Sequence, residues 1–405
     1  MAEPLRKRAP ESAQVLDEPA AKILAVSHAA PEASALAAMP RMSAETGKSP
    51  MALMRDYAAL AFGPGKVSLP DYVRLRLFDE SFWAGQDRRA VVGQRRNRDL
   101  VVEANWRHDW YGMTSNKIAS SQYLAAFGLP TIPLRAIYAP NMQRESWLVI
   151  RDAEALQHFL LDPENYPLFG KPAEGNQSLG SVGLTRCEPD TGMLIRTDGS
   201  KISVTDLIAD INNHYADNGY VLQPLMAPHD DIIKLAGRKL ATSRIVTIAT
   251  EDGPKIFRAS WKVPVGSNVA DNYWRSGNLL AGLDLATGKV LRATSSTGFD
   301  LVNVTHHPDT GEHLIGAAIP NFAQMKEIAL EGARLMRHFS VIGWDMASTP
   351  AGPMIVEMNE TPDLFLNQLA DRFGVLDADW TAFMRFQKTR SEAFVKKMKA
   401  DIAAL

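Results

Sequence analysis

The chain has 405 residues, more than a single hydrophobic core usually serves, so we expect two or three structural units. Its formal net charge of −2 arises from interspersed acidic and basic residues, which excludes a protein-wide field that would attract nucleic acid or an anionic membrane. The single cysteine, Cys187, excludes an internal disulfide, and no apolar run approaches the length of a membrane span, so we expect a cytoplasmic protein without membrane insertion.

The N-terminal part is predicted to change from a tail to a small helical domain near residue 51. Residues 1–50 are rich in Ala, Pro, Glu and Ser and contain no aromatic residue, so they can bury too little apolar surface to offset the entropy of ordering. We therefore expect a disordered tail. Residues 51–111 are expected to be helical, and Ser68 and Asp71 stand in the spacing of a capping box at the start of the second helix.

Residues 112–222 alternate helical and strand-like segments, which predicts one α+β lobe. Gly128 follows the first helical run and should end it, and Asp152 is a candidate cap for the second. The expected helices cover residues 117–127, 153–161 and 205–214, and the expected strands cover residues 166–171 and 220–223.

Residues 223–375 are predicted to form a second lobe, which a C-terminal helix at residues 376–405 follows. Asp252-Gly253 between two strand-like runs is a strong hairpin signal, and Asn321 is a candidate helix cap. The regular segments expected here are strands at residues 243–249, 255–261, 341–347 and 354–359 and a helix at residues 322–338. The predicted fold class is α+β.

The last hairpin carries a candidate metal site. Asp345 lies as many residues before Ala351 as Glu357 lies after it, so antiparallel pairing about that turn sets the two acids opposite each other. Glu357 and Asn359 are two residues apart and therefore face the same side of their strand. Oxygen atoms of three side chains would converge, and Mg²⁺ prefers such ligands. The alternative is a pair of exposed acids in a polar strand.

The stretch at residues 171–183 begins with a strand-end lysine and continues as a glycine-rich loop that matches no Walker sequence. Gly175 and Gly180 would let backbone N–H groups approach phosphate oxygens, and Ser178 could add a hydroxyl donor. A flexible hairpin loop without a ligand is the alternative. Lys117 stands at a predicted helix start, where its charge opposes the helix dipole, so it is either a second anion contact or a surface lysine.

In this order the motifs resemble those of the ATP-grasp superfamily, and within it the sugar-transfer-associated ATP-grasp group, which is related to α-L-glutamate ligase-like proteins. The resemblance covers about residues 61–373. Its matching stretches are Ser115-Asn116-Lys117 with Gly128-Leu129-Pro130, Lys171 with its glycine loop, residues 220–225, 243–246 and 272–278, and Gly343-Trp344-Asp345 with Glu357-Met358-Asn359. It implies an ATP-grasp fold, in which two α+β lobes clamp ATP with Mg²⁺, or with Mn²⁺ in its place.

The resemblance also implies roles for individual residues. Lys117 and Lys171 would hold the ATP phosphates. An acid just beyond the strand that ends at residues 223–225, either Asp230 or Asp231, would bind the ribose. Backbone contacts to adenine would come from Gln223, Pro224 and Leu225. The side chains that would face the γ-phosphate and the reacting carboxylate are Arg244, Lys262, Asn272 and Arg275. Cations at those positions suit planar oxyanions and growing negative charge, and a surface salt bridge is the alternative for Arg244 and Lys262.

The implied function is that of a Mg-ATP-dependent carboxylate–amine or related ligase, in which a carboxylate becomes an acyl phosphate that an amine attacks. Its partners would be a small carboxylate and an amine or a sugar, in polysaccharide or sugar-conjugate biosynthesis. Two alternatives stay open, a kinase of a sugar or other hydroxyl and a nucleotide-binding module without catalysis. The sequence departs from the pattern at residues 360–363, where similar ligases often carry a Pro-Gly pair, and it leaves the acceptor and the oligomeric state undefined.

Overall fold

The computed structural model describes residues 24, 38–142, 146, 148–175, 178–268 and 270–403. Most of the predicted tail, residues 1–23 and 25–37, lies outside the described residues. The prediction of a disordered tail is wrong for residues 38–50, because helix α1 (Met39–Thr46) buries Met42 completely and helix α2 (Pro50–Ala61) begins where the tail was expected to end. A few apolar side chains order this stretch because neighbouring helices supply the surface on which they pack.

The N-terminal helices share a hydrophobic core with the second lobe. They are α1, α2, α3 (Leu69–Arg74), α4 (Gln94–Ala104) and α5 (Tyr111–Ser115). The capping box at α3 is present, with the side chains of Ser68 and Asp71 each accepting from the other residue's backbone N–H. Tyr72 lies in one buried cluster with Leu280 and Phe365 of the second lobe. The helical region is therefore packed as part of that lobe.

The first lobe is a seven-stranded sheet with helices beside it. Its elements are α6 (Lys117–Ala126), β1 (Ala136–Tyr138), β2 (Val149–Ile150), α7 (Ala153–Leu161), β3 (Leu168–Pro172), β4 (Val182–Glu188), β5 (Met193–Arg196), β6 (Lys201–Ser203), α8 (Val204–His214) and β7 (Tyr220–Pro224). The strand order is β2-β1-β7-β3-β4-β5-β6. Asp152 caps α7 by accepting from the N–H of Ala155, and Leu156 and Leu160 of α7 lie in the lobe's core together with Leu24. β3 and β7 are antiparallel neighbours in the sheet, and Leu168 at the start of β3 pairs with Pro224 at the end of β7.

The second lobe is a second seven-stranded sheet. Its elements are α9 (Asp230–Ala236), β8 (Thr242–Thr250), β9 (Gly253–Val263), β10 (Leu279–Leu283), β11 (Val290–Ser295), β12 (Val302–Asn303), α10 (Phe322–Leu335), β13 (Val341–Thr349), β14 (Gly352–Asn359), α11 (Leu364–Asp371) and α12 (Ala378–Ala403). The strand order is β12-β11-β10-β9-β8-β13-β14. Asn321 precedes α10 but makes no side-chain cap, because its own backbone is left-handed and its amide donates to Ser348 instead. None of the described helices combines the length and the apolarity that a membrane span requires.

A β-bulge sets the register of the β13–β14 hairpin. Thr349 pairs with Gly352 across a two-residue loop, and this register alone would set Asp345 opposite Val356. The ladder shifts by one residue after the Met346–Ile355 pair, so that Asp345 pairs with Glu357. The predicted opposition of the two acids is therefore present, but a short turn and a bulge produce it rather than a turn centred on Ala351.

Candidate active site

A cleft with a cavity volume of about 1100 Å³ lies between the two sheets. The residues predicted for the site that line it are Lys117, Lys171, Gly175, Ser178, Gln223, Pro224, Leu225, Arg244, Lys262, Asn272, Asp345, Glu357 and Asn359. Four residues named as candidates, Gly180, Asp230, Asp231 and Arg275, do not line it. Most of the residues predicted for the site therefore line this one cleft.

Asp345 is the centre of a buried charge network on three neighbouring strands. In the sheet register Arg244 on β8 stands directly opposite Asp345 on β13. Its Nη2 donates to Asp345 Oδ2 at 2.8 Å, and Lys262 Nζ on β9 lies 3.2 Å from the same oxygen. Burial alone would raise the pKa of Asp345, but the charges and hydrogen bonds of Arg244 and Lys262 outweigh it and hold that pKa well below its usual range. Asp345 is therefore ionised throughout the physiological range.

The three predicted metal ligands lie together at the end of this hairpin. Asn359 Nδ2 donates to Asp345 Oδ2 at 3.4 Å, which leaves the amide oxygen of Asn359 available. The Glu357 side chain is 34% exposed, and its Oε1 lies 3.5 Å from Lys117 Nζ. Two carboxylates and one amide oxygen fit the chemistry of Mg²⁺, which takes few protein ligands and completes its shell with phosphate oxygens and water. In the described part of the chain, no three His, Cys, Asp or Glu side chains converge, so this set depends on Asn359.

Two lysines approach the same hairpin from the first lobe. Lys171, at the end of β3, is only 9% exposed, and burial lowers its pKa to about 8, with Glu357 and Asp345 opposing that effect and Lys117 adding to it. Lys117 Nζ donates to Gly175 O at 2.7 Å. Asn116 fixes the start of α6, because its side chain accepts from the N–H groups of Ile118 and Ala119. Both ammonium groups therefore lie beside the acids of the hairpin, on the side of the cleft that the first lobe forms.

The glycine-rich loop contains two kinds of glycine. Residues 176–177 of this stretch lie outside the described residues. Gly175 has φ +127° and open space where a Cβ would be, so its backbone can be approached by a ligand. Gly180 has φ +73°, and an added Cβ would stand 2.6 Å from the Tyr215 ring and 2.7 Å from Pro172. Its carbonyl accepts from Tyr220 OH. Gly180 was predicted to bind phosphate, but the structure places it inside the lobe, where it packs against Tyr215 and Pro172.

The apolar end of the cleft is formed by the strand end at Gln223, Pro224 and Leu225 together with Ile132 and Phe169. Gln223 is buried, and its Nε2 donates to Ile132 O at 3.3 Å. The N–H of Leu225 donates to Pro167 O at 3.0 Å, so a base contact from Leu225 would have to use its carbonyl oxygen. An apolar slot with a few backbone groups suits a planar heterocycle.

The predicted ribose acids lie outside the cleft. Asp230 and Asp231 form the first turn of α9 and are exposed, and Asp231 Oδ2 lies 3.6 Å from His229 Nδ1. Both carboxylates stabilise the positive end of the helix dipole, which accounts for their presence. Both acids were predicted from their place in the chain just after the strand at residues 220–224. That place does not tell which face of α9 a side chain occupies.

Asn272 and Arg275 differ in placement. Asn272 lines the cleft, its Oδ1 accepts from the N–H of Trp274 at 3.1 Å, and its buried Nδ2 has no partner among the described residues. Arg275 is only 9% exposed behind the cleft wall, and within the described chain its Nε and Nη2 also have no partner. Burial lowers the pKa of Arg275. Arg275 is therefore not positioned at the reacting oxygens as the resemblance implied.

Two half-buried acids that were not predicted from the sequence, Asp271 and Asp363, also line the cleft. Asp271 Oδ2 accepts from Thr242 N at 3.1 Å and lies 3.6 Å from Lys262 Nζ. Asp363 accepts from Trp274 Nε1 at 3.4 Å and caps α11. Burial raises the pKa of both carboxyls. Asp363 could have been predicted as a helix cap, because it directly precedes an apolar helical run. It also lies where the sequence departs from the pattern of similar ligases.

Comparison of solved structures gives ligases with low sequence identity. The D-alanine-D-alanine ligase from Coxiella burnetii is 12% identical at a TM-score of 0.43, with 72% of this chain and 62% of that chain covered. The D-alanine-D-alanine ligase from Bacillus anthracis complexed with ATP is 13% identical at a TM-score of 0.38, with 70% of this chain and 69% of that chain covered. The D-cycloserine synthetase DcsG is 16% identical at a TM-score of 0.35, with 73% and 79% covered.

The chain thus spans less than two thirds of the length of the Coxiella burnetii ligase, and similarities at these TM-scores carry no conclusion about substrates. No curated protein sequence matches the chain. A family model described as sugar-transfer associated ATP-grasp matches residues 95–380, which is well over half of the chain and includes both sheets. The chain therefore belongs to the sugar-transfer associated ATP-grasp family.

Proposed function

We propose that the protein is a Mg-ATP-dependent ligase that activates a carboxylate by phosphorylation and joins it to an amine or a related acceptor. One observation carries the proposal: four cationic side chains from both lobes converge on two carboxylates in one cleft. The cations are Lys117, Lys171, Arg244 and Lys262, and the carboxylates are those of Asp345 and Glu357. Phosphoryl transfer needs positioned counter-charge more than covalent participation, and this arrangement supplies it.

Each group has a role in the first step. A carboxylate oxygen of the substrate attacks the γ-phosphorus, the bond to the β,γ-bridging oxygen breaks, and ADP leaves with the electron pair. Lys171 and Lys117 bind phosphate oxygens, and Arg244 and Lys262 neutralise charge where donor and acceptor oxygens meet. Asp345, Glu357 and Asn359 would hold Mg²⁺, which when bound neutralises charge on the phosphate oxygens. No protein side chain is consumed.

In the second step a neutral amine adds to the acyl carbon, phosphate leaves with the electron pair of the acyl–oxygen bond, and the departing phosphate takes up the proton that the nitrogen releases. The buried network keeps the surrounding groups fixed, so little reorganisation is needed. Closure of the cleft over the bound substrates would exclude water, which would otherwise hydrolyse the acyl phosphate. A sugar acid or an amino sugar is the substrate class that the family description favours, in the synthesis of a polysaccharide or sugar conjugate.

The test is an ADP-release screen of the purified protein against carboxylates, amino acids and sugar acids, with and without Mg²⁺, followed by trapping with hydroxylamine. An acyl phosphate gives a hydroxamate, whereas a phosphorylated hydroxyl does not. Glu357→Gln serves as the control, because it removes a charge at the metal site without removing volume. ADP release with a phosphorylated hydroxyl and no hydroxamate would identify a kinase, and absence of ADP release with every compound would support a nucleotide-binding module.

A further inference from the structure

Asn105 joins the two ends of the metal-bearing hairpin. Its side chain is fully buried and makes four hydrogen bonds, all to backbone atoms. Nδ2 donates to Val341 O at 2.8 Å and to Glu360 O at 2.6 Å. Oδ1 accepts from Ser340 N at 2.6 Å and from Val341 N at 2.9 Å. A primary amide has two donor hydrogens and two acceptor lone pairs, so these contacts use its whole capacity.

These contacts lie where the ladder between β13 and β14 stops. The last pair of that ladder is Gly343 with Asn359, so Glu360 has no partner in β13 beyond it. Asn105 takes over this function, because it holds the carbonyl of Glu360 against the first residues of β13. The carbonyl it fixes belongs to Glu360, the residue that follows Asn359 directly.

The opposite end of the ligand segment is also held. Ile355 N donates to Pro130 O at 2.7 Å, and the β-bulge follows immediately. Between the bulge at Val356 and the clamp at Glu360 lie only three residues, and two of them, Glu357 and Asn359, are the predicted metal ligands. The position of both ligands is thus set by two fixed points on either side.

Asn105 is itself held rigidly. It is the C-cap of α4, its N–H donates to Val101 O at 2.8 Å, and its carbonyl accepts from Tyr111 OH at 3.2 Å. Val101 packs in a buried cluster with Val246 and Val341 of the second sheet. The amide therefore projects from a packed helix end and not from a mobile loop.

We propose that Asn105 is a positioning residue for the metal site: by fixing Glu360 against the start of β13, it sets where Glu357 and Asn359 stand and thereby sets metal affinity. The inference rests on the proposed function, since it takes these residues as metal ligands. Groups that orient metal ligands typically change metal affinity by about 10- to 100-fold when they are mutated. Asn105→Ala should therefore weaken metal binding by about this factor.

The experiment measures Mn²⁺ binding by the electron paramagnetic resonance of free Mn²⁺, with a non-hydrolysable ATP analogue present, and separately measures binding of the analogue without metal. Asn278→Ala is the matched control. Asn278 is also fully buried and also makes four amide hydrogen bonds, to Val265 N, Asn268 Nδ2, Ala270 O and Asn272 O, but it does not contact the hairpin. Both variants should lose stability, and only Asn105→Ala should lose Mn²⁺ affinity while its metal-free analogue affinity stays unchanged.

Asn105→Asp is the second variant, to be used if Asn105→Ala does not fold. It keeps the acceptor contacts to Ser340 N and Val341 N and replaces the donor by a carboxylate oxygen that repels the carbonyls of Val341 and Glu360, so it should show the same metal defect. If the wild type binds no Mn²⁺ together with the analogue, the proposed function fails. If the wild type binds Mn²⁺ and the Asn105 variant binds it as tightly as Asn278→Ala does, the proposed function stands and the role of Asn105 is refuted.

Discussion

Replacing Lys171 with methionine should stabilise the protein at neutral pH while it weakens nucleotide binding. Lys171 is 9% exposed, and its pKa is lowered from 10.5 to about 8, chiefly by burial. Because one pKa unit corresponds to about 1.4 kcal/mol, keeping this ammonium charged in the folded protein costs about 3 kcal/mol relative to the unfolded chain. Methionine has a similar length and no charge, so Lys171→Met should raise the free energy of unfolding by about that amount at pH 7.

The pH dependence gives the sign of the effect. Between pH 8 and 10.5 the unfolded chain binds the Lys171 proton more strongly than the folded protein does, so wild-type stability rises with pH in this window. The advantage of Lys171→Met should therefore be complete below pH 8 and should disappear as the pH approaches 10.5. Urea denaturation of both proteins across this range measures the difference, and calorimetry with ATP measures the loss of affinity.

The matched control is Lys117→Met. Lys117 is already paired, with Gly175 O at 2.7 Å and with Glu357 Oε1 at 3.5 Å, so its removal should bring no gain in stability. If Lys171→Met is less stable than the wild type at pH 7, or if its advantage is the same at pH 7 and pH 10, the argument from burial of Lys171 is refuted.

Three further predictions concern the other contacts. Glu357→Gln should abolish Mg-dependent ADP release with an unchanged melting temperature. Asp345→Asn should abolish it and also cost about 3–5 kcal/mol, because it leaves buried Lys262 and half-buried Arg244 without their counter-charge. ADP release and thermal melting of the two variants measure both effects. Gly180→Ala should destabilise by about 1–3 kcal/mol, seen in urea denaturation, while ATP affinity of the folded fraction stays near wild type. Met42→Ala should cost about 2–5 kcal/mol, and an unchanged melting temperature would show that α1 does not pack.

The relative placement of the acidic and amide side chains on the last hairpin could be predicted from the sequence, because side chains alternate between the two faces of a strand. Glu357 and Asn359 share a face by alternation, and a hairpin centred on Ala351 predicts Asp345 opposite Glu357, which is the pairing that the structure has. The bulge was not predictable, because a turn centred on Ala351 and a shorter turn with one extra strand residue give the same pairing of the two acids. Only the backbone register distinguishes the two.

The remaining site residues depended on information that one sequence does not contain. In the sequence, Gly175 and Gly180 are both glycines of the same polar loop and cannot be told apart. In the structure, Tyr215 packs against Gly180, whereas the space around Gly175 is open. Arg275 lies near Asn272 in the chain, yet the turn at residues 273–274 sends its side chain behind the cleft wall. Asp271 is recognisable only once the sheet register brings Thr242 and Lys262 beside it. These are long-range contacts, and no local pattern encodes them.

The core that the N-terminal helices share with the second lobe limits how the enzyme can be divided or recombined. The family match begins at residue 95, within α4, yet Tyr273 and Phe365 are covered by side chains from α1 to α3. An expression fragment trimmed to the matched residues would expose this apolar surface and should aggregate. A chimera that exchanges substrate-binding segments should therefore keep residues 38–111 and the second lobe from the same parent. Its junctions should lie at the boundaries between the first lobe and the rest of the chain.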